Sequence, residues 1–389
     1  MNRLPEAGML SLLKLIMVFV MAAWLTGCAG PSAAIIGLSA DPDLKTPIPG
    51  LVQEEIYVLT ARDLSDDPAL LFSGERSPTL NMAKLRVTIP PNHEVGQIER
   101  ARTLPPDPRT DFTIVDPVVF SNQYGFVAEL RGDLRERPRG ERDILLFVHG
   151  FNTTLTDAVL RTAQFAHDTG FTGIPVVFSW ASRGKTFDYV YDLNSSLIAR
   201  DQLIEGAEVL LEASPAGVDL VAHSMGNLLT MEAVRQGALL GKLNASRKIR
   251  NVILASPDID IDLFEAQLKS IPRSKRHVYV LISENDKALG ISRFLAGGVS
   301  RVGDADPERL AGLGVTVVDL SQVKDTSSIH HTKFAEVPEV VQLIGAHLEA
   351  NGNFETSSTQ PNRPAQVIQG MANVPIAIFG GRTRSAGMP

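Results

Sequence analysis

After residue 142 the chain repeats one pattern: short, continuous runs of Val, Ile and Leu separated by stretches long enough for helices. The runs cover residues 144–148, 175–180, 218–222, 251–255, 278–282 and 315–320. They are continuous rather than alternating, as strands covered on both faces require. Between them, residues 194–213 bring Leu197, Ile204, Ala207 and Leu211 onto one helical face. Residues 337–348 do the same with Val340, Val341, Ile344 and Leu348. Strands alternating with helices predict a mainly parallel central sheet, helices on both faces and right-handed crossovers. Upstream, residues 55–61, 84–89 and 112–119 read as strands separated by proline-rich turns such as Ile89-Pro90-Pro91. From residue 350 the chain turns rich in Ser, Thr, Pro and Gly, and is expected to form a disordered tail adding little to the core.

The first apolar run is of another kind. Residues 10–25 are apolar apart from Ser11 and Lys14, and the uninterrupted part, 15–25, is about half the roughly 20 residues a spanning helix needs. Arg3 and Lys14 on its N-terminal side and small residues at its end describe an export signal. The ending Leu25-Thr26-Gly27-Cys28 resembles a bacterial lipobox, which implies acylation of Cys28 as the new N-terminus. Ala29 after the cysteine, by resemblance to other bacterial lipoproteins, points to the outer membrane. The expected organisation is a signal peptide over 1–27, a flexible tether over 28–50, one α/β domain over 51–349 and the tail over 350–389.

Composition narrows the function. Apolar residues make up 44% and charged residues 21%, enough for a sizeable core. The net charge of −7 leaves no basic excess for phosphates, so no nucleic-acid partner is expected. Cys28 is the only cysteine, which excludes internal disulfides, iron–sulfur clusters and thiolate zinc sites.

The run at 218–222 leads straight into His223-Ser224-Met225-Gly226 and a helix-compatible segment. This is the strand–turn–helix setting of a nucleophile elbow, whose tight turn demands small residues two before and two after the serine. Ala222 and Gly226 meet that demand. A serine hydroxyl needs a base within reach and an acid to orient the base. In this fold the acid follows the nucleophile in the chain and the histidine comes last. Asp286, after the run at 278–282, is the leading acid, with Asp258 and Glu284 as alternatives. The base is one of the adjacent pair His330-His331, after the last run.

An oxyanion needs aimed donors. The N–H of Met225, just after the serine, supplies one. The other is expected from Phe151, in the loop His149-Gly150-Phe151-Asn152 that follows the run at 144–148. Trp180, Phe151 and Asn152 stand beside these loops and are expected to line the substrate pocket. The alternating Asp258, Asp260 and Asp262 lack the glycine and closing carboxylate of a calcium loop, and are read as a helix cap or solvated loop. Ser182-Arg183-Gly184-Lys185-Thr186 lacks the first glycine of a phosphate loop. His167 and His347 are read as helix-surface residues, His93 and His277 as loop or strand-end residues. No metal and no cofactor are expected.

These residues together resemble the α/β-hydrolase superfamily, and within it a bacterial family of lipase-related exported hydrolases. The most specific stretches are 145–152, Phe178-Ser179-Trp180-Ala181-Ser182 with Tyr191-Asp192, 222–226, 255–260 and 285–288, joined upstream by 57–62 and 87–90. In that family the late histidine precedes an aromatic residue by three places, which selects His331 through Phe334; His330 stands where glycine is usual. The resemblance implies a membrane-tethered serine hydrolase of carboxylic esters or related acyl bonds, acting on a small-molecule or lipid ester. The alternative is a non-catalytic envelope module that uses the same fold to bind a lipid or protein partner.

Overall fold

The computed structural model describes residues 47–67, 69–243, 246–325, 327–349 and 376–380, together with the backbone of 366–367. Cys28, the expected signal peptide and most of the expected tether lie outside the described residues.

Among the described residues, eleven strands form one sheet in the order β10-β11-β9-β8-β7-β6-β4-β5-β1-β2-β3. They are β1 (Val52–Leu64), β2 (Phe72–Ile89), β3 (Thr113–Val119), β4 (Ile144–Val148), β5 (Ile174–Ser179), β6 (Val218–His223), β7 (Ile249–Ala255), β8 (Val278–Ile282), β9 (Thr316–Asp319), β10 (Gln366–Val367) and β11 (Ala377–Phe379). Strands β4 to β9 run parallel, and β1 joins them parallel to β5. Strands β2 and β3 follow antiparallel, so the N-terminal strands extend the same sheet.

The helices are α1 (Gln123–Glu136), α2 (Leu155–Asp168), α3 (Tyr189–Ile198), α4 (Arg200–Glu212), α5 (Met225–Leu239), α6 (Ile261–Lys269), α7 (Lys287–Leu295), α8 (Pro307–Gly312), α9 (Lys333–Glu336) and α10 (Pro338–Glu349). Strand β4 shows why its run is continuous. Ile144, Leu146 and Val148 enter the core beneath α1, α4, α5 and α6, while Leu145 and Phe147 enter the core beneath α2, α9 and α10. Both pleated faces are buried, so neither can carry polar residues without cost. Among the described residues, no helix is long and apolar enough to cross a membrane.

Two expectations need correction. The helix read over 194–213 is two helices meeting at Ala199. Polar ties fix the first of them: Arg76 of β2 donates from Nε to Ser195 Oγ at 2.8 Å and from Nη2 to the Tyr191 carbonyl at 3.0 Å. The tail is not uniformly free of the core either. β11 pairs antiparallel with β9, and Ile376 and Ile378 are buried against Val318 and its neighbours. That short apolar segment is embedded in a Ser/Thr/Pro/Gly-rich composition that hid it.

Candidate functional site

The C-terminal ends of β4, β6, β7, β8 and β9 share one edge of the sheet, where open α/β sheets bind ligands. Ser224 lies between β6 and α5 at φ +52°, ψ −123°, a strained conformation for a residue with a side chain. It persists because the neighbours hold it. Ser224 N donates to the Ala255 carbonyl at 3.0 Å, and Asn227 Nδ2 donates to the carbonyls of Ser224 and Ala255, each at 2.9 Å. The turn packs directly on the loop after β4. A Cβ on Gly226 would stand 2.3 Å from the His149 carbonyl oxygen, and one on Gly150 would stand 2.8 Å from Ser224 Cβ. Glycine is therefore required at both places by close approach.

Asp286 closes β8 and opens α7. Its Oδ1 accepts the Leu289 N–H at 3.1 Å as a helix cap, and its Oδ2 accepts His331 Nδ1–H at 2.6 Å. The carboxylate is buried completely. His330 points elsewhere: it pairs with Asp325, at φ +61°. That left-handed backbone is the physical reason glycine suits the position. The other acids are committed too. Asp258 accepts Ser292 Oγ–H at 2.6 Å and pairs with Arg301 at 3.2 Å, while Glu284 is exposed. Asp260 caps α6.

His331 is held against residues flanking the serine. Its carbonyl accepts Ser256 Oγ–H at 3.0 Å and faces His223 Nε2 at 3.3 Å, and the two imidazoles lie 4.7 Å apart. Phe334, fully buried, packs on His223, Phe147 and Phe165, which anchors the turn that carries His331. Lys333 is equally buried, and its ammonium donates to Ser283 Oγ (3.0 Å), Asn285 Oδ1 (2.8 Å) and the Leu320 carbonyl (3.0 Å). It ties the Asp286 loop, the end of β9 and the His331 segment together. Burial lowers its pKa, and the nearby Asp325, Asp286 and Asp319 oppose that. Ser224 Oγ itself makes no hydrogen bond among the described residues.

The backbone N–H groups of Phe151 and Met225 likewise donate to nothing among the described residues. Phe151 is half-buried, edge-on to Tyr189 at 5.2 Å. Trp180 does not line a pocket. It is wholly buried, stacked on His149, and donates its indole N–H to the His149 carbonyl at 2.8 Å. It braces the β4 loop from beneath. Asn152 is exposed at φ +56°, with its N–H donating to Asp192 Oδ2 at 3.2 Å.

That loop rests on a buried polar network that sequence reasoning missed. Arg62, at the end of an apolar stretch of β1, donates to Ser179 Oγ (2.7 Å), the Ser73 carbonyl (3.2 Å), the Ser182 carbonyl (2.6 Å) and the Thr153 carbonyl (2.7 Å). Burial lowers its pKa to about 10, partly offset by Asp192 and Asp157, so it stays charged at neutral pH. Asp192 is buried and takes Ser182 Oγ–H, Arg183 N–H and Asn152 N–H. His149 Nδ1–H donates to the Gly150 carbonyl at 2.9 Å, which leaves Nε2 to accept from Ser179 Oγ at 3.1 Å. Burial, with the Arg62 charge beside it, pushes His149 down to about 3. Burial first and the adjacent His331 second hold His223 well below the usual histidine range. Both rings are neutral at pH 7. Arg62 and Asp192 stood in the matched stretches, and a lone charge ending an apolar strand was the available signal.

The mostly parallel sheet, the helices on both faces and the strand–turn–helix at Ser224 define an α/β-hydrolase fold. Residues 125–347 match the family described as alpha/beta hydrolase of unknown function (DUF900), and the chain belongs to that family. No curated protein matches the sequence. Similar solved structures include a hyperthermophilic esterase from the archaeon Pyrobaculum calidifontis, at 10% identity over 59% of this chain and 94% of that one, TM-score 0.33. They also include fungal esterases from Rhizomucor miehei, at 14% identity over 78% of this chain and 85% of that one, TM-score 0.33. EstE1, a thermostable carboxylesterase cloned from a metagenomic library, matches at 10% identity over 79% of this chain and 90% of that one, TM-score 0.32.

Proposed function

We propose that this protein is a serine hydrolase of carboxylic esters or related acyl bonds. One observation carries the reading: the fully buried Asp286 carboxylate holds His331 Nδ1 at 2.6 Å, and the His331 carbonyl meets Ser256 and His223, the latter the neighbour of a strained Ser224. Ser224 Oγ attacks the acyl carbon while His331 Nε2 takes the hydroxyl proton. The carbonyl oxygen becomes an oxyanion facing the free N–H groups of Phe151 and Met225. His331 then gives its proton to the leaving alcohol as the C–O bond breaks. A water repeats the sequence on the acyl-enzyme, releasing the acid and regenerating Ser224. The Ser224–His331 hydrogen bond closes when substrate is bound, as such contacts are commonly long in the free enzyme.

Fluorophosphonate labelling with mass mapping tests this. Wild type labels at Ser224; Ser224→Ala loses the label and His331→Ala labels far more slowly. A folded wild type that never labels would overturn the reading in favour of a non-catalytic binding module.

The same reading includes lipidation at Cys28 and an outer-membrane tether, supported by the Leu25-Thr26-Gly27-Cys28 ending. Cys28→Ser then releases the protein from the membrane fraction; retention of that variant contradicts the tether.

A further inference from the structure

The connection from β2 to β3, residues 90–112, is long and contains neither helix nor strand. Loops of that length are uncommon in a compact domain unless something fastens them. With Cys28 the only cysteine, no disulfide can do so.

What fastens this one is a set of imidazoles and carboxylates at the edge of the sheet opposite Ser224. His93 of the loop faces the last turn of α2, where His167 and Asp168 are adjacent. One donor atom from each of His93, His167 and Asp168 lies within 4.8 Å of the others. His93 and Asp168 are oriented from behind. His93 Nδ1 is 2.9 Å from Glu99 Oε2, and Glu99 Oε1 accepts the Glu94 N–H at 3.0 Å. Asp168 Oδ2 accepts the Gly96 N–H at 2.7 Å and Gln164 Nε2–H at 2.5 Å, which leaves Oδ1 for the cluster, 2.8 Å from His93 Nε2. Glu54 of β1 lies 3.7 Å from His167 Nδ1. A carboxylate behind a histidine and hydrogen bonds behind a carboxylate are the outer-shell arrangement that fixes metal ligands.

We propose that His93, His167 and Asp168 form a structural site for a divalent transition-metal ion of the zinc class, clipping the 90–112 loop to α2. Two imidazoles and one carboxylate suit such an ion, with water completing the coordination. Donors about 2.1 Å from the ion stand about 3.4 Å apart. His93 Nε2 and Asp168 Oδ1 therefore part by a few tenths of an ångström, and His167 draws inward. The ion replaces the proton that His93 and Asp168 share, and the proton leaves to solvent. This revises the expectation that no metal is bound, and it is independent of the chemistry at Ser224.

The test uses full-length, untagged protein stripped with chelator and titrated with Zn²⁺ in a non-coordinating buffer at pH 7.5. One equivalent is expected to remain after desalting, with a melting temperature several degrees higher. His167→Gln, at a half-buried position chosen so that folding survives, should weaken zinc binding about 10–100-fold, as should His93→Gln. His347→Phe, at a buried histidine outside the cluster and packed on Tyr279, should bind normally. Substoichiometric zinc, or equal affinity in the His167 and His93 variants, overturns the proposal and leaves the cluster as a proton-bridged clasp.

Discussion

Asp286 divides its two oxygens between two tasks: Oδ2 receives His331 Nδ1–H at 2.6 Å, and Oδ1 caps α7 through the Leu289 N–H. Asparagine keeps an oxygen for the cap but cannot serve both donors as an anion. Asp286→Asn is therefore expected to fold with a melting temperature near that of wild type. Its kcat on a p-nitrophenyl ester should fall about a thousand-fold or more, because the imidazole loses its orienting acceptor. Activity within tenfold of wild type sinks the role given to this carboxylate.

Lys333 acts through the loops it joins rather than on substrate. Lys333→Met removes three hydrogen bonds and a positive charge near Asp286. The expected result is a kcat lower by about 10–100-fold with KM little changed, since small misplacements of reacting groups cost that much. Lys333→Gln, which keeps a donor without the charge, should recover part of that loss. A kcat equally low in Lys333→Gln and Lys333→Met, or one that does not fall at all, would reduce Lys333 to a packing residue.

How far the site was legible in the sequence depends on range. Ser224, Asp286 and His331 each follow a continuous apolar strand, and chain order alone ranks them. His331 was separable from His330 only through Phe334, and the structure supplies the cause: Phe334 fills the core while His330 turns back to Asp325. Trp180 sat correctly beside the site but on the buried side of its loop, because a strand-end position does not say which face a ring takes. Arg62 was legible only as a lone charge ending an apolar strand, and its role was not, since its four acceptors come from segments 11 to 120 positions away. His347, read as a surface residue, is 3% exposed and edge-on to Tyr279. Its place on the apolar stripe with Ile344 and Leu348 was the overlooked signal.

Arg62→Met should expose the cost of that network. Four acceptors lose their donor and Asp192 loses its nearby cation, so a destabilisation of about 3–5 kcal/mol is expected in urea unfolding. A loss under about 1 kcal/mol contradicts the view that Arg62 holds the β4 and β5 loops together.

His347 gives a pH dependence of definite sign. Burial lowers its pKa from 6.5 to about 4, so between those values the unfolded chain binds a proton that the folded chain refuses. Its contribution is intact above pH 6.5 and is lost as pH falls toward 4, amounting to about 2 kcal/mol at pH 5. His347→Phe keeps a ring against Tyr279 without the titration. The difference in unfolding free energy between pH 7.5 and pH 5 should shrink by that amount, and an unchanged difference contradicts the assignment.

The strand at Ala377–Phe379 has a practical bearing on how the protein can be handled. It shields the outer rim of β9, whose amides and carbonyls otherwise offer a template to any passing extended chain. A version trimmed after Glu349, the obvious cut from composition alone, strips that guard and bares the greasy neighbours of Ile376 and Ile378. Such a fragment invites self-association, and preparations meant for kinetics or crystals should run at least through Phe379.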